Sequence, residues 1–424
     1  MKRITRSLFF SLLYKMCCEL SYALGVSDMY SYMGLVYTPN IMKCIVSYVL
    51  FIMGYFILPK NKDKPSYYLV RIMYLFTLTP LLSMYWQADR ANKYMIYAFM
   101  VFIIICLVTK HICIKKIKLI ECNISISKML ILIISFILIL FTLRFGIADL
   151  RALNLYNVYE IRSERFYPGI WGYIINWLTY ALIPALICRS LSERRYGIAA
   201  LALVYQGYLY LFTGSKTVLF SIVLIIVSYF LVMRKFDFLR YWSLFLGIVC
   251  IFPLFLYLQF GSTAFIGIFP TRLLSIPASI NFNHYDFFSE NPKLYLCETI
   301  IGRIFNIESP YGEFSTYLLS TGSGNANVGF IGDAYDNGGV VFIVIYAILI
   351  GLLLEVFDKI YEKNKTQLAA YVGTLTYTMI YLNEGPLTSA IITGGIWIHL
   401  ALFLLKDKKT IQTYRYNSKD SRLE

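Results

Sequence analysis

Three groups of residues in this 424-residue chain could do chemistry. In "NFNHYDFF" a histidine, a tyrosine and an aspartate stand together as His284, Tyr285 and Asp286. An imidazole that titrates near neutrality can take a proton from a sugar hydroxyl, and a tyrosine and a carboxylate beside it can bind hydroxyl groups. The second group is cationic. In "ADLRALNLYNVYEIRSERFYPG" Arg162 and Arg165 are three apart, as are Tyr159 and Arg162, so a helix would set them on one face, with Arg151 upstream. Guanidinium groups bond phosphate oxygens in pairs, which suits a lipid diphosphate; the plainer alternative pairs Glu160 and Glu164 with Arg162 and Arg165 on a solvated face. Arg272, ahead of a proline turn, and Lys216 in "FTGSKT" add cations for the same ligand, although such a lysine can equally snorkel to an interface. "FTGSKT" lacks the first glycine of a P-loop and follows an apolar helix, which argues against nucleotide.

The third group is "GNANVGFIGDAYDNGG", Gly324 to Gly339. Its glycines permit a tight backbone path, while Asn327, Asp333 and Tyr335 supply an amide, a carboxylate and a ring, a set that binds sugars. By composition alone, a turn-rich link into an apolar segment is the simpler reading.

The elements that must position these residues are membrane helices. The chain is 58% hydrophobic and 15% charged, with a mean hydropathy of +0.63, against about a quarter charged in ordinary soluble domains. About twelve apolar stretches are long enough to cross a hydrocarbon core of roughly 30 Å: 8–27, 41–58, 68–86, 94–109, 129–145, 170–188, 196–213, 216–233, 241–259, 338–357, 368–384 and 388–405. Lipid forces their backbones to bond internally, so the fold class is an all-α integral membrane protein. The expected organisation is one polytopic domain over 1–405 and a polar tail over 406–424. Two longer connectors, about 145–169 and 260–337, interrupt the alternation, and the second should hold helices of its own, one over "NPKLYLCETIIGRIF" and another over "PYGEFSTYLLS".

Lysine and arginine concentrate in "PKNKDK", "KHICIKKIK", "CRSLSERR", "MRKFDFLR", "DKIYEKNK" and the tail. Those connectors, and both termini, are therefore expected in the cytoplasm and the two long connectors on the opposite side. The net charge of +15 is this topogenic fringe and does not point to nucleic acid. Lys15 and Glu19, four apart within the first span, can neutralise each other, and the scarcity of other charges at mid-depth weighs against an ion-coupled carrier. The nine cysteines make no disulfide framework, and neither CxxC, HExxH nor any other metal-ligand cluster occurs.

"NANVGFIGDAYDNGG" followed by "VVFIVIYAILIGLLLE" resembles the O-antigen and oligosaccharide repeat-unit polymerases, the Wzy family. There a polar segment leads into a late span, matched here by Asn327, Gly329, Phe330, Gly332, Ala334, Tyr335 and Gly338. "YNVYEIRSE", "TRLLSIPASINFNHYDFF" and "TGSKT" look similar as well; Asp336 stands where the family pattern has a small or aromatic residue, and no role is carried over to it. The resemblance implies a multi-pass bacterial inner-membrane enzyme without cofactor or metal. Such an enzyme transfers a glycan from undecaprenyl diphosphate to the non-reducing end of another lipid-linked repeat unit on the periplasmic face. It implies membrane lipid as a partner, with a flippase and a chain-length regulator of the same pathway. An attacking hydroxyl needs an acceptor for its proton, and His284, Asp286, Glu313 and Asp333 are the unranked candidates. Arg151, Arg162, Arg165, Lys216, Arg272, Tyr159, Tyr285, Asn327 and Tyr335 are the candidate substrate contacts. An O-antigen ligase and a lipid-linked oligosaccharide flippase remain the alternatives.

Overall fold

The computed structural model describes residues 2–114, 116–154, 158–165, 167–311, 327–364 and 367–407. Its principal helices, in chain order, are α1 (Thr5–Met33), α2 (Ile41–Ile57), α3 (Pro65–Gln87), α4 (Asn92–His111), α5 (Ile126–Phe145), α6 (Ile170–Ser192), α7 (Tyr196–Thr213), α8 (Lys216–Met233), α9 (Phe238–Phe260), α10 (Ala264–Glu290), α11 (Phe330–Asn364), α12 (Leu368–Tyr381) and α13 (Leu387–Leu404). Eleven are long and apolar enough to cross a membrane, which excludes α2 and α12. Every expected span falls on one of these helices, so the all-α membrane architecture stands. The unexpected member is α10, which occupies a stretch assigned to a connector.

One end of the bundle carries the basic connectors. There Lys64 reaches Glu355 at 3.3 Å and Asp358 at 3.6 Å, while Asp358 accepts from the backbone and hydroxyl of Ser66 and so ties the end of α11 to the start of α3. A short parallel ribbon lies at the same end, β1 (Ile120–Cys122) against β2 (Leu405–Asp407). The first residues beyond 405 are thus docked strand.

The other end is built by α10. Its first turn packs on α1, where Ile266 meets Gly25 and Gly267 meets Tyr30. Its later turns meet the α3–α4 connection, since Arg90 donates to Ser279 at 3.2 Å and to Asn283 at 3.1 Å, and Tyr94 donates to Asn281 at 2.9 Å. Both ends of α10 therefore touch the same end of the bundle, and the helix lies aslant across it. It is long and apolar enough for a crossing, and its first half also packs against the middle of α3. No turn occurs at Pro277: the chain is helical on both sides of it.

α11 is two pieces. Gly338 and Gly339 leave helical geometry, Gly339 at φ 60° and ψ −143°, which a side chain on that backbone would strain. Phe330–Asn337 thus forms a short polar helix aimed differently from the apolar run after it. This resolves the oddity of a polar stretch leading into a span: the residues before the kink serve the end of the bundle, and those after it serve the membrane.

The connector 291–311 departs from expectation. Only Ile300–Ile304 is helical in "NPKLYLCETIIGRIF". Tyr295 and Leu296 take positive φ angles, 48° and 68°, and the segment is pegged elsewhere: Leu294 donates to the Asp336 carbonyl and Leu296 to the Asn337 side chain, both at 2.8 Å. Most of "PYGEFSTYLLS", including Glu313, lies outside the described residues.

Candidate functional site

Helical spacing places Asp333, Asp336 and Asn337 within one turn of the short helix before the kink. That helix is held from two sides. Phe330 donates its N–H to the Leu382 carbonyl at 2.9 Å, and Gly332 to the Asn281 side chain at 3.0 Å. Gly329 lies so close to the Asn383 carbonyl that a β-carbon would sit 2.5 Å from it, so only glycine lets the two backbones meet. Asn281 and His284 are three apart on α10, and the same register that anchors Asn281 brings His284 onto Asp336.

The His284 Nδ1 to Asp336 Oδ2 distance is 2.6 Å, and each side chain is 2% exposed. A carboxylate is an acceptor only, so the neutral ring places its proton on Nδ1 and leaves a lone pair on Nε2. His284 Nε2 and Asp336 Oδ1 are both buried and have no hydrogen-bond partner. Asp333 differs: Asn337 donates to its Oδ1 at 2.8 Å and the Leu387 N–H to its Oδ2 at 3.2 Å. Asp333 therefore joins the short helix to the start of α13, with both oxygens engaged.

These groups open on a cavity of about 250 Å³. His284, Asp333, Asp336 and Asn337 form its deep wall, Thr388, Ser389 and Thr393 of α13 another, and Asn327, Glu298 and Arg303 its exposed side. An unpartnered buried nitrogen beside an unpartnered buried oxygen is costly unless a ligand or water completes them. Such an arrangement can accept a proton from a hydroxyl at Nε2 while Asp336 holds the ring and stabilises the imidazolium that forms.

Of the residues singled out by sequence, His284, Asp333 and Asn327 come together here. Asp286 does not: half-exposed, it faces Arg90 at 3.8 Å. Tyr285 and Tyr335 are buried in a cluster of rings, 4.8 Å apart, with Tyr94 and Tyr97 as neighbours and the Lys293 ammonium 3.6 Å from the Tyr335 centroid, and neither offers a free face. Burial holds Lys293 below the usual lysine range. Arg151 is bound to Asp149 at 2.8 Å and to Glu164 at 2.6 Å, so Glu164 serves Arg151 and not the arginine beside it. Arg165 donates to the carbonyls of Phe212 at 3.2 Å and Ile147 at 3.0 Å, closing the end of α7. Lys216 begins α8. Arg272 is exposed on α10, twelve residues before His284, or about 18 Å along a helix axis. None of these cations lines the cavity. Tyr159 and Arg162 sit on the helix Val158–Glu164, and their side chains, like Glu313, are outside the described residues.

The chain matches no protein-family model, no curated protein and no solved structure. Sequence reasoning assigned no role to Asp336, took Asn337 only as part of the polar run, and missed Arg303. The signal for the first two was their helical spacing from Asp333; Arg303 carried none, because the helix that holds it is five residues long.

Proposed function

We propose that this chain polymerises lipid-linked glycan repeat units, moving a glycan from undecaprenyl diphosphate to the non-reducing end of an incoming unit. The supporting observation is the buried His284–Asp336 pair, whose open Nε2 faces a polar cavity at the end of the bundle away from the basic connectors. The acceptor hydroxyl oxygen attacks the anomeric carbon of the donor, and the bond from that carbon to the diphosphate oxygen breaks. The hydroxyl proton passes to His284 Nε2, Asp336 stabilises the charged ring, and the lipid diphosphate departs with the bonding electrons. Charge grows on that leaving group, and Arg303, the arginine on the cavity's exposed side, can bond its oxygens. The test is a gene deletion with the surface polysaccharide run on a gel. The expected product is core carrying a single repeat unit, restored to a ladder by the wild-type gene and not by His284→Ala. Bare core would move the protein to ligase or flippase, and an unchanged ladder would remove it from the pathway.

A further inference from the structure

The cavity's electrostatics say more than that a sugar enters it. Among the described residues its titratable lining comprises three carboxyl groups, Asp333, Asp336 and Glu298, one guanidinium, Arg303, the His284 ring and the Tyr173 phenol. Their depths differ. Asp333 and Asp336 are 6% and 2% exposed, whereas Arg303 is exposed. The deep wall therefore holds two carboxyl groups, with the Lys293 ammonium acting on Asp336 from behind, and the mouth holds the guanidinium. The Asp336 charge is compensated by one bond from His284 and has a second oxygen with no partner; Asp333 is compensated by an amide and a backbone N–H. None of these bonds comes from a permanent cation.

We infer that the deep wall receives a single acceptor sugar residue that bears no carboxylate, a neutral or amino sugar, which donates one hydroxyl to His284 Nε2 and a second hydroxyl or N–H to Asp336 Oδ1. This rests on the polymerase reading and narrows its substrate. The two open atoms are both acceptors while the histidine is neutral, so the ligand must supply two donors, and sugar rings present donors in abundance. A uronate would bring its carboxylate towards two others inside a wall of low polarisability, where like charges repel far more strongly than in water. The volume sets the number of residues. About 250 Å³ falls just below the roughly 300–1,000 Å³ of pockets that enclose drug-sized ligands, so one ring enters and the rest of the repeat unit stays outside. The placing of two carboxyl groups deep and of Arg303 beside Glu298 at the mouth also orients the reaction, with the acceptor ring inward and the donor diphosphate outward at Arg303.

The test is binding of three methyl glycosides that share one ring, the glucoside, the glucosaminide and the glucuronide, to the full-length protein in lipid nanodiscs, read by saturation-transfer NMR. The glucoside and glucosaminide should bind, and the glucuronide about tenfold more weakly or worse. Asp336→Asn should bring the glucuronide close to the glucoside, Glu298→Gln should relieve the discrimination less, and Ser389→Trp should abolish binding of all three by filling the space. Equal binding of glucuronide and glucoside, no binding of any of the three, or binding indifferent to Ser389→Trp would overturn the inference. The two proposals can fail separately. The predicted order of binding with an unchanged surface polymer in the deletion strain rejects polymerisation and keeps the sugar site. A single-repeat phenotype with a uronic acid as the acceptor residue does the reverse.

Discussion

The pair His284 and Asp336 carries the chemical argument, and its two members are separable by mutation. His284→Ala removes the proton acceptor and should lower polymer formation by about 10²–10⁴-fold, the usual worth of a positioned base. Asp336→Asn keeps an acceptor for Nδ1–H and should cost less, whereas Asp336→Ala should approach the histidine variant; in vivo polymer ladders alongside membrane protein levels check all three. Arg303→Ala should lose most activity, and Arg151→Ala, which breaks only an exposed ion-pair network with Asp149 and Glu164, should retain most of it. Full ladders from Arg303→Ala would remove that residue from the leaving-group role. His284 was visible in sequence because its chemistry is rare here: the chain has three histidines. Its partner was not, because the two lie 52 residues apart and nothing in local sequence says that α10 will lie across the short helix of α11. The arginines were overvalued for the converse reason. Spacing shows which side chains share a face, but not that Arg165 would be spent on two carbonyls at the end of α7.

At the scale of elements, the transmembrane helices were legible because lipid imposes one rule on every backbone, and hydropathy reports where that rule applies. The parts that fold on other rules were not. α10 carries two prolines and a run of polar residues that read as a connector yet is helical: Tyr94 and Gly332 donate to its Asn281, Arg90 to its Asn283, and Asp336 pairs with His284 Nδ1. The connector 291–311 looks helical yet is pegged open by Asp336 and Asn337. The Gly338–Gly339 kink should tolerate little: Gly339→Ala forces a side chain onto positive φ and should cost about 1–3 kcal/mol, seen as a lower melting temperature in detergent. Gly329→Ala should do at least as much harm through the Asn383 carbonyl. The α2–α3 end has a pH signature. Asp89 is held below the usual carboxylate range by hydrogen bonds from Lys43 and Asn40. The stability this contributes is present above the unfolded pKa of about 4 and disappears as pH falls through the lower folded value. Wild type and Asp89→Asn should therefore differ slightly in melting temperature at neutrality and converge in acid.

Across the whole molecule, charge divides the two ends, and the cavity lies at the end poorer in basic connectors. If insertion follows that bias, exposed Cys113, just beyond α4 at the basic end, should react with an impermeant maleimide only after the cytoplasmic face is opened. Glu290→Cys, at the exposed end of α10, should react in intact cells whose outer barrier alone is breached. The reverse pattern would place His284 in the cytoplasm and end the case for an extracytoplasmic glycan substrate.

The small ribbon at the basic end bears on biogenesis. Asp407 takes the Ile126 N–H across 281 residues and also holds Arg189, so a clasp for α5 and α6 arrives only after most of the chain has left the ribosome. Those early helices must wait in the bilayer for a latecomer, and a nascent chain stopped before residue 405 should be the form that quality-control proteases remove first.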